Sequence, residues 1–170
     1  AFDFFFVAKA FFVAFQIFLE VAFDVFFFGR FGFGRHGRLD HRAQQLMRLR
    51  GIGETTATAL VAMIGNGHDF RNGRQLSAWI GLVPGQYSSG GKTRLGRITK
   101  AGDAYLRTLL ILGARAVLAA AKNKADGLSR WATALEQRRG YWKAVVAIAA
   151  KNARMCWAML AKAEQFKLPA

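Results

Sequence analysis

Apolar side chains recur every three or four positions over most of residues 39–170, and this spacing predicts an all-α domain. Residues 85–101 interrupt the pattern because they are rich in Gly, Ser and Thr, which predicts a loop or a short hairpin. A bundle of longer helices is expected after it. The predicted helices cover 41–49, 54–64, 74–81, a stretch from about 103, 128–138 and 141–164. All four tryptophans lie at helical positions and are expected in the core: Trp79, Trp131, Trp142 and Trp157.

Residues 1–38 differ in composition from the rest, since 14 of the 16 Phe residues lie between Phe2 and Phe33. Their Phe runs follow no amphipathic period. Charged side chains interrupt the stretch, so no uncharged run of about 18 residues is present to cross a bilayer. We interpret residues 1–38 as a non-native leader from a shifted reading frame or a decayed gene. A packing helix and a membrane anchor are the alternatives.

The chain is strongly basic, with 25 Lys and Arg against 10 Asp and Glu and a formal net charge of +15. Such an excess favours a polyanionic partner, a nucleic acid first and an anionic membrane surface second. The single cysteine excludes a disulfide framework and a cysteine-based zinc site, and three histidines do not make a convincing cluster. No metal ligands are therefore expected in this chain.

The segment over about 46–64 has the pattern of a helix-hairpin-helix, in which a Gly-Ile-Gly turn joins two helices. Gly51 and Gly53 would allow a tight turn and a close approach to a ligand, and Ile52 would hold the helices together. Backbone N–H groups at the start of the second helix would then face a DNA phosphate without reading bases. Glu54 argues against this role because its carboxylate competes with phosphate, and an ordinary helical hairpin is the alternative.

The predicted loop at 85–101 contains several cations and no acidic residue. Flexible backbone with dense positive charge suits a phosphodiester backbone, and such binding weakens strongly with salt. The run Gly-Gly-Lys-Thr matches the end of a Walker A motif, but the spacing requires glycine where Gln86 stands, which excludes that motif. The candidate DNA contacts in this loop are Lys92, Thr93, Arg94, Arg97 and Lys100.

Ser88 and Ser89 lie in the same loop, and a serine among cations is a candidate nucleophile for a phosphodiester. Neighbouring Arg and Lys side chains would stabilise the charge on the pentacovalent phosphorus. Loop serines are common, however, and the loop holds no histidine or carboxylate to act as a base. The spacing alone therefore leaves open that both are ordinary loop serines.

Three segments have a more specific pattern, and they lie within a run from about Leu46 to Leu160 that covers about two thirds of the chain. They are Arg50–Leu60, Phe70–Pro84 and Ser88–Lys100, the last continuing into Gly102–Arg107. In this combination the chain resembles the C-terminal domain of the IS110 family of insertion-sequence transposases, and in particular its IS1111 branch.

The resemblance implies a DNA transposase or recombinase that moves a mobile element by strand cleavage and exchange. It implies a serine nucleophile in a Ser-Gly context, which is Ser89 here, with Ser88 as its neighbour. It also implies Mg²⁺ bound by carboxylates of an N-terminal RuvC-like domain, a homo-oligomer, a structured guide RNA and a bacterial, nucleoid-associated cytoplasmic location. The residues expected at DNA are Gly51, Ile52, Gly53, Lys92, Thr93, Arg94, Arg97, Lys100 and Arg107.

The chain departs from this pattern before about residue 39, because the Phe-rich stretch does not resemble a RuvC-like domain. We therefore expect residues 39–170 to be a helical transposase domain that needs no cofactor of its own and binds nucleic acid without exchanging strands alone. No membrane partner is expected. Two alternatives stay open: a non-catalytic helix-hairpin-helix module for DNA or RNA, and a membrane-associated basic protein.

Overall fold

The computed structural model describes residues 39–162, and over this range the chain forms six α-helices and one two-stranded hairpin. The all-α prediction is confirmed, because the two strands are short and every other element is a helix. The interpretation of residues 1–38 and the predicted end of the last helix at 164 lie outside the described residues. The elements are α1 His41–Leu46, α2 Glu54–Ile64, α3 Gly73–Trp79, β1 Pro84–Gln86, β2 Leu95–Ile98, α4 Ala104–Ala121, α5 Gly127–Arg139 and α6 Tyr141–Ala161.

Local side-chain and backbone signals separate the three longer helices. Asp103 accepts a hydrogen bond from the Leu106 N–H at 2.6 Å and so caps the start of α4. Asp126 caps α5 in the same way through the Ser129 N–H at 3.3 Å. Gly140 has a φ of +83° and joins α5 directly to α6, which lets α6 fold back on its neighbours.

The core of the described domain lies where α4, α5 and α6 pack on one another. α3 packs on α6, and the α1–α2 pair contacts α4 and α6. Burying one Leu or Ile side chain contributes about 1.5–3 kcal/mol relative to leaving it exposed, so this apolar core is the main source of stability. Its largest fully buried apolar side chains include Leu46, Leu60, Leu76, Leu106, Leu110, Leu118 and Ile148.

The expectation that all four tryptophans are core residues is wrong for two of them. Trp79 is 41% exposed and Trp142 is 63% exposed. Trp142 lies in the first turn of α6, where its ring contacts the edge of Tyr141 and lies 6.0 Å from the Arg115 guanidinium. The Trp142 ring therefore lies at the surface, beside an aromatic and a cationic side chain, and not in the core.

α4 and α6 also have the length and the mean hydropathy, 1.5 and 1.3, of membrane-spanning helices. About 33% of the 18-residue apolar stretch of α4, and 50% of that of α6, are buried inside the described domain. Because core helices of water-soluble proteins have the same properties, these two helices are weak evidence for a membrane partner. The expectation that no membrane is involved stays a prediction.

Candidate nucleic-acid interface

The turn between α1 and α2 is packed into the domain. Ile52 is only 5% exposed and belongs to the same apolar core as Leu46 and Leu49, which fits its predicted packing role. The Ile52 N–H donates to the Leu49 carbonyl at 3.1 Å and closes the turn. Ile52 therefore positions the start of α2 from inside the fold.

Gly51 lies very close to a helix of the same chain, whereas the sequence predicted a close approach to a ligand. It has a φ of +81°, and a Cβ at this position would lie 2.6 Å from the Gly113 carbonyl oxygen and 2.7 Å from Val117 Cγ2 of α4. A Cβ on Gly113 would in turn overlap the Gly51 carbonyl oxygen. The buried Asn152 of α6 donates from Nδ2 to the Arg50 carbonyl at 2.9 Å. Internal packing thus explains Gly51, and its contact with DNA stays a prediction.

The start of α2 is the part of this turn that faces solvent. Gly53 is exposed, caps α2, and a Cβ placed on it would meet nothing within 4 Å. Within the described part of the chain no side chain caps α2, so the N–H groups of its first turn are open to water or to an anion. Glu54 is exposed in the same turn, where its carboxylate would compete with a bound phosphate.

Arg50 is held at this turn by an ion pair with the start of α5. Its Nη1 lies 2.7 Å from Asp126 Oδ1, and the Ser129 hydroxyl donates to the same carboxylate at 2.7 Å. These hydrogen bonds, the one from Arg50 first and then the one from Ser129, hold the pKa of Asp126 well below its usual range. The pair joins two segments of the fold and compensates the charge of Arg50, which makes Arg50 a weaker phosphate contact than a cation without an acidic partner.

Residues 84–98 form a β-hairpin, which settles the choice between a loop and a hairpin. β1 and β2 are antiparallel with Gln86 opposite Leu95, and an irregularity near the base shifts the register. Ser89 pairs with Lys92 at the tip, and the two glycines between them have φ values of +57° and +76°. Positive φ at both central positions is typical of a type I′ turn, whose twist matches that of the two strands.

The base of the hairpin is anchored between α3 and α4. The Lys100 N–H donates to the Gly81 carbonyl at 3.2 Å, and Lys100 itself has a φ of +54°, which is uncommon for a residue other than glycine. Arg107 of α4 donates from Nη1 to the Ile80 carbonyl at 3.0 Å and to two further carbonyls at 3.4 and 3.5 Å. Arg107 thus ties α4 to the end of α3, and its predicted contact with DNA remains untested.

The cations of the hairpin face solvent. No acidic residue lies between Pro84 and Gly102, and Thr93 is exposed among the cations. Both ion pairs found in residues 39–162 join residues elsewhere in the fold, so no acidic side chain neutralises the hairpin. The exposed hairpin cations are Lys92, Arg94 and Arg97, together with Lys100, which follows β2 at the base of the hairpin.

The two candidate nucleophiles have different surroundings. The Ser88 hydroxyl accepts hydrogen bonds from Gln86 Nε2 at 3.0 Å and from the Arg94 N–H at 3.4 Å. Ser89 lies at the tip, pairs with Lys92 through the main chain, and its hydroxyl makes no hydrogen bond within the described residues. Over the same range, no three His, Cys, Asp or Glu side chains are grouped as a metal site would need. The nucleophile assignment stays a prediction.

Both predicted phosphate-binding elements rest on α4. The α1–α2 turn contacts Gly113, and the base of the hairpin lies where α4 begins after Asp103. At 1.5 Å of rise per residue, these two points are about 15 Å apart along the helix. α4 therefore holds the start of α2 and the hairpin at a defined spacing.

The segment that contains these elements matches a known family. The family model described as "Transposase IS116/IS110/IS902 family" matches residues 43–129, which include the α1–α2 pair, the hairpin and α4. The chain belongs to this transposase family. The resemblance drawn from the sequence motifs is thereby confirmed.

Three relatives show how similar this chain is to individual transposases. A Pseudomonas aeruginosa protein named "Probable family 20 transposase" is 53% identical over 127 residues, 75% of this chain and 38% of that protein. The transposase for insertion sequence element IS1111A of Coxiella burnetii is 49% identical over 124 residues, 73% of this chain and 34% of its own length. The transposase for insertion sequence element IS1328 of Yersinia enterocolitica is 35% identical over 127 residues, 75% of this chain and 38% of its own length. The chain spans little more than a third of each of these curated relatives.

Sequence reasoning missed three residues that shape this part of the transposase chain: Tyr87, Asp126 and Asn152. A lone aromatic residue in a basic Gly/Ser segment was a signal for Tyr87, and a polar residue in an apolar run was a signal for Asn152. The pairing of Asp126 with Arg50, 76 positions away in sequence, has no local signal. Only the packing of α5 beside the α1–α2 turn brings these two side chains together.

Proposed function

We propose that this chain is the nucleic-acid-binding, C-terminal part of a transposase that cleaves and exchanges DNA strands to move an insertion sequence. One observation carries the proposal: the hairpin between α3 and α4 exposes four cations, and no acidic residue lies from Pro84 to Gly102. A polyanion is the partner that such a surface favours, and the net charge of +15 would speed its association. Membership of the transposase family supports DNA as that polyanion.

DNA phosphates contact the hairpin cations and the Thr93 hydroxyl in this proposal. The open N–H groups at the start of α2, next to Gly53, form a second and weaker anchor of the helix-hairpin-helix kind. Contacts of both kinds are to the backbone of the nucleic acid, so they position the strand and do not read its sequence. Site selection then belongs to other elements of the transposase.

Ser89 is the proposed nucleophile of the strand-cleavage step. Its Oγ would attack the phosphorus of a phosphodiester, the bond from phosphorus to the leaving sugar oxygen would break, and a phosphoserine ester would form. The position at the hairpin tip beside Lys92, and the absence of hydrogen bonds to this hydroxyl within residues 39–162, support Ser89 over Ser88. The proton must pass to a base outside the hairpin.

Mg²⁺ does not fit the described residues, because no three carboxylate, histidine or cysteine side chains group there. We place the Mg²⁺ requirement in the RuvC-like domain that the family resemblance implies. The part described here would then bind DNA and would not cut it alone. A homo-oligomer, a structured guide RNA and a nucleoid-associated location in the bacterial cytoplasm are further proposals supported only by the family resemblance.

A non-catalytic nucleic-acid-binding module is the second candidate, since neither hairpin serine has a neighbouring base in the described range. Ser89→Ala separates the two candidates. DNA binding should stay within about twofold of the unchanged chain in both cases. If the N-terminal part of a relative is supplied with Mg²⁺, cleavage should be lost in Ser89→Ala and kept in Ser88→Ala. Cleavage by Ser89→Ala would remove the nucleophile assignment.

The test of the binding surface compares two sets of four charges on the full 170-residue chain. One variant changes the four hairpin cations to Gln. Its control changes four exposed cations elsewhere, Lys122, Lys124, Arg130 and Lys143, to Gln and therefore has the same net charge. Fluorescence anisotropy with a labelled duplex at several KCl concentrations gives the salt slope of the affinity for each.

We expect the hairpin variant to lower the magnitude of the salt slope by roughly 3 to 4, because each lost phosphate contact removes about 0.9. The control should change it by less than about 1. Equal effects of the two variants would mean that binding follows net charge alone, and the hairpin would not be the site.

A further inference from the structure

Tyr87 is the most exposed large apolar or aromatic side chain of the described residues, with 75% of its surface accessible. It directly follows β1 on the way to the hairpin tip, and its N–H donates to the Arg94 carbonyl at 2.9 Å. The hairpin contributes no residue to the apolar core, so core packing does not explain Tyr87. An exposed ring among cations calls for an explanation other than stability.

Two glycines support one side of the Tyr87 ring. A Cβ on Gly96 would lie 3.0 Å from Tyr87 Cε2, and a Cβ on Gly85 would lie 3.6 Å from the same atom. A Cβ at Gly96 would thus require the ring to shift by a few tenths of an ångström, whereas the bare backbone lets it lie against the hairpin. The rest of the ring is open to solvent.

The register places Tyr87 on one face of the hairpin with Ser89, Lys92 and Arg94. Across the hairpin, Ser89 pairs with Lys92, and the Tyr87 N–H donates to the Arg94 carbonyl. Side chains two positions apart on a strand point to the same face, and directly opposite residues on paired strands also share a face. Ser88 belongs to the opposite face, where its hydroxyl bonds to Gln86 at 3.0 Å. One face therefore combines an aromatic ring, two cations and a serine hydroxyl.

We propose that Tyr87 stacks on an unpaired base of the DNA strand whose phosphates contact Lys92 and Arg94. This inference rests on the proposed function and specifies the form of DNA that the hairpin takes. An aromatic ring needs the open face of a base, and bases inside a duplex have both faces covered by their neighbours. Cations that hold the backbone beside an aromatic ring that holds a base are the combination used to bind single strands. A strand held in this way would have a phosphodiester next to Ser89.

The test compares a short labelled oligothymidylate, the same oligomer with abasic sites, and a labelled duplex, each titrated with the full chain. For the unchanged protein, removing the bases should weaken binding about five- to 100-fold at constant charge. Tyr87→Leu should weaken binding of the oligothymidylate by a similar factor and leave the abasic oligomer and the duplex within about twofold. Tyr87→Phe should stay within about twofold, and Tyr105→Leu, which alters a tyrosine on α4 that is 43% exposed, should change nothing.

Four results would overturn the inference, and one of them separates it from the proposed function. Equal affinity of the unchanged protein for the normal and abasic oligomers would exclude stacking without any variant. Equal losses of Tyr87→Leu on single strand and duplex would assign the ring a purely structural role in the hairpin. If the hairpin-cation variant loses duplex binding while Tyr87→Leu matches the unchanged protein on every ligand, the proposed function stands and the stacking inference fails. If no nucleic acid binds at all, both fail.

Discussion

The turn between α1 and α2 and the hairpin between α3 and α4 are both rich in glycine, yet the fold uses their glycines differently. In the turn, Gly51 is pressed against Gly113 of α4, and the backbone approach is internal. In the hairpin, a Cβ on Gly90 or Gly91 would meet nothing within 4 Å, so these residues serve only the turn geometry. The same residue type thus builds a buried contact in one place and an exposed tip in the other.

Glycine spacing alone therefore does not identify a phosphate site. What separates the two regions is burial and charge: the turn holds a paired Arg50, whereas the hairpin exposes cations that pair with no acid in the described residues. A bound phosphate needs open donors, and the hairpin has more of them. In the α1–α2 turn, the N–H groups at the start of α2 around Gly53 are donors of this kind.

The largest effect is expected from Gly113→Ala, which tests the buried contact. Alanine normally stabilises a helix interior by up to about 1 kcal/mol over glycine. Here the new Cβ would overlap the Gly51 carbonyl oxygen, and such overpacking costs about 1–3 kcal/mol or more. We therefore expect the free energy of unfolding, measured by urea titration with circular dichroism, to fall by about 2 kcal/mol or more.

The matched control is Gly127→Ala, since a Cβ at this first position of α5 would meet nothing within 4 Å. It should be neutral or stabilise the fold by up to about 1 kcal/mol. If both variants have equal stability, the close approach of the turn to α4 is not present in solution. Gly51 is then again a candidate for contact with a ligand.

The next effect concerns the ion pair that holds the turn, and its test is the pH dependence of stability. Because hydrogen bonds from Arg50 and Ser129 lower the pKa of Asp126 in the folded state, its contribution is present above the unfolded value near 3.9. That contribution is lost as the pH falls below this value. Asp126→Asn should lower the free energy of unfolding at neutral pH and flatten its decline between about pH 4 and pH 2.

Asp40→Asn is the comparison variant, because hydrogen bonds from Arg42 lower the pKa of Asp40 to about 2 at an exposed site. Its effect has the same sign and should be smaller, since water screens exposed pairs. Parallel stability curves for Asp126→Asn and the unchanged chain would show that the ion pair does not hold the turn.

The smallest effect is expected at the start of α2. Glu54→Gln removes the carboxylate that competes with a phosphate at the open first turn, and a charge at a helix terminus contributes about 0.3–1 kcal/mol. Duplex affinity at low salt should rise about two- to fivefold. Asp69→Asn removes the same charge from an exposed loop and serves as the control. A rise in both variants would reflect net charge, and the turn would then have no phosphate site.

Local pattern was sufficient for much of the fold. The 3.6-residue spacing predicted the helices. Asp103 and Asp126 cap their helices by accepting a hydrogen bond from the N–H three residues later, which is also a local interaction. The type I′ turn at Gly90 and Gly91 is equally local, because two adjacent glycines permit positive φ at both positions. Trp142 shows the limit, since a helical position does not say whether a neighbouring element covers it.

Residue pattern alone was enough to predict the helical class, the basic character, the transposase family and the segment that carries the exposed cations. The shared face of Tyr87 and Ser89 is also a local feature, because the two residues are two positions apart on one strand beside a two-glycine turn. Tertiary packing, in contrast, places Gly51 against a helix and pairs Arg50 with Asp126. These two features depend on contacts between segments up to 102 positions apart, as for Asn152 and Arg50. They are not encoded in the neighbouring residues, because the partners meet only once the helices have packed.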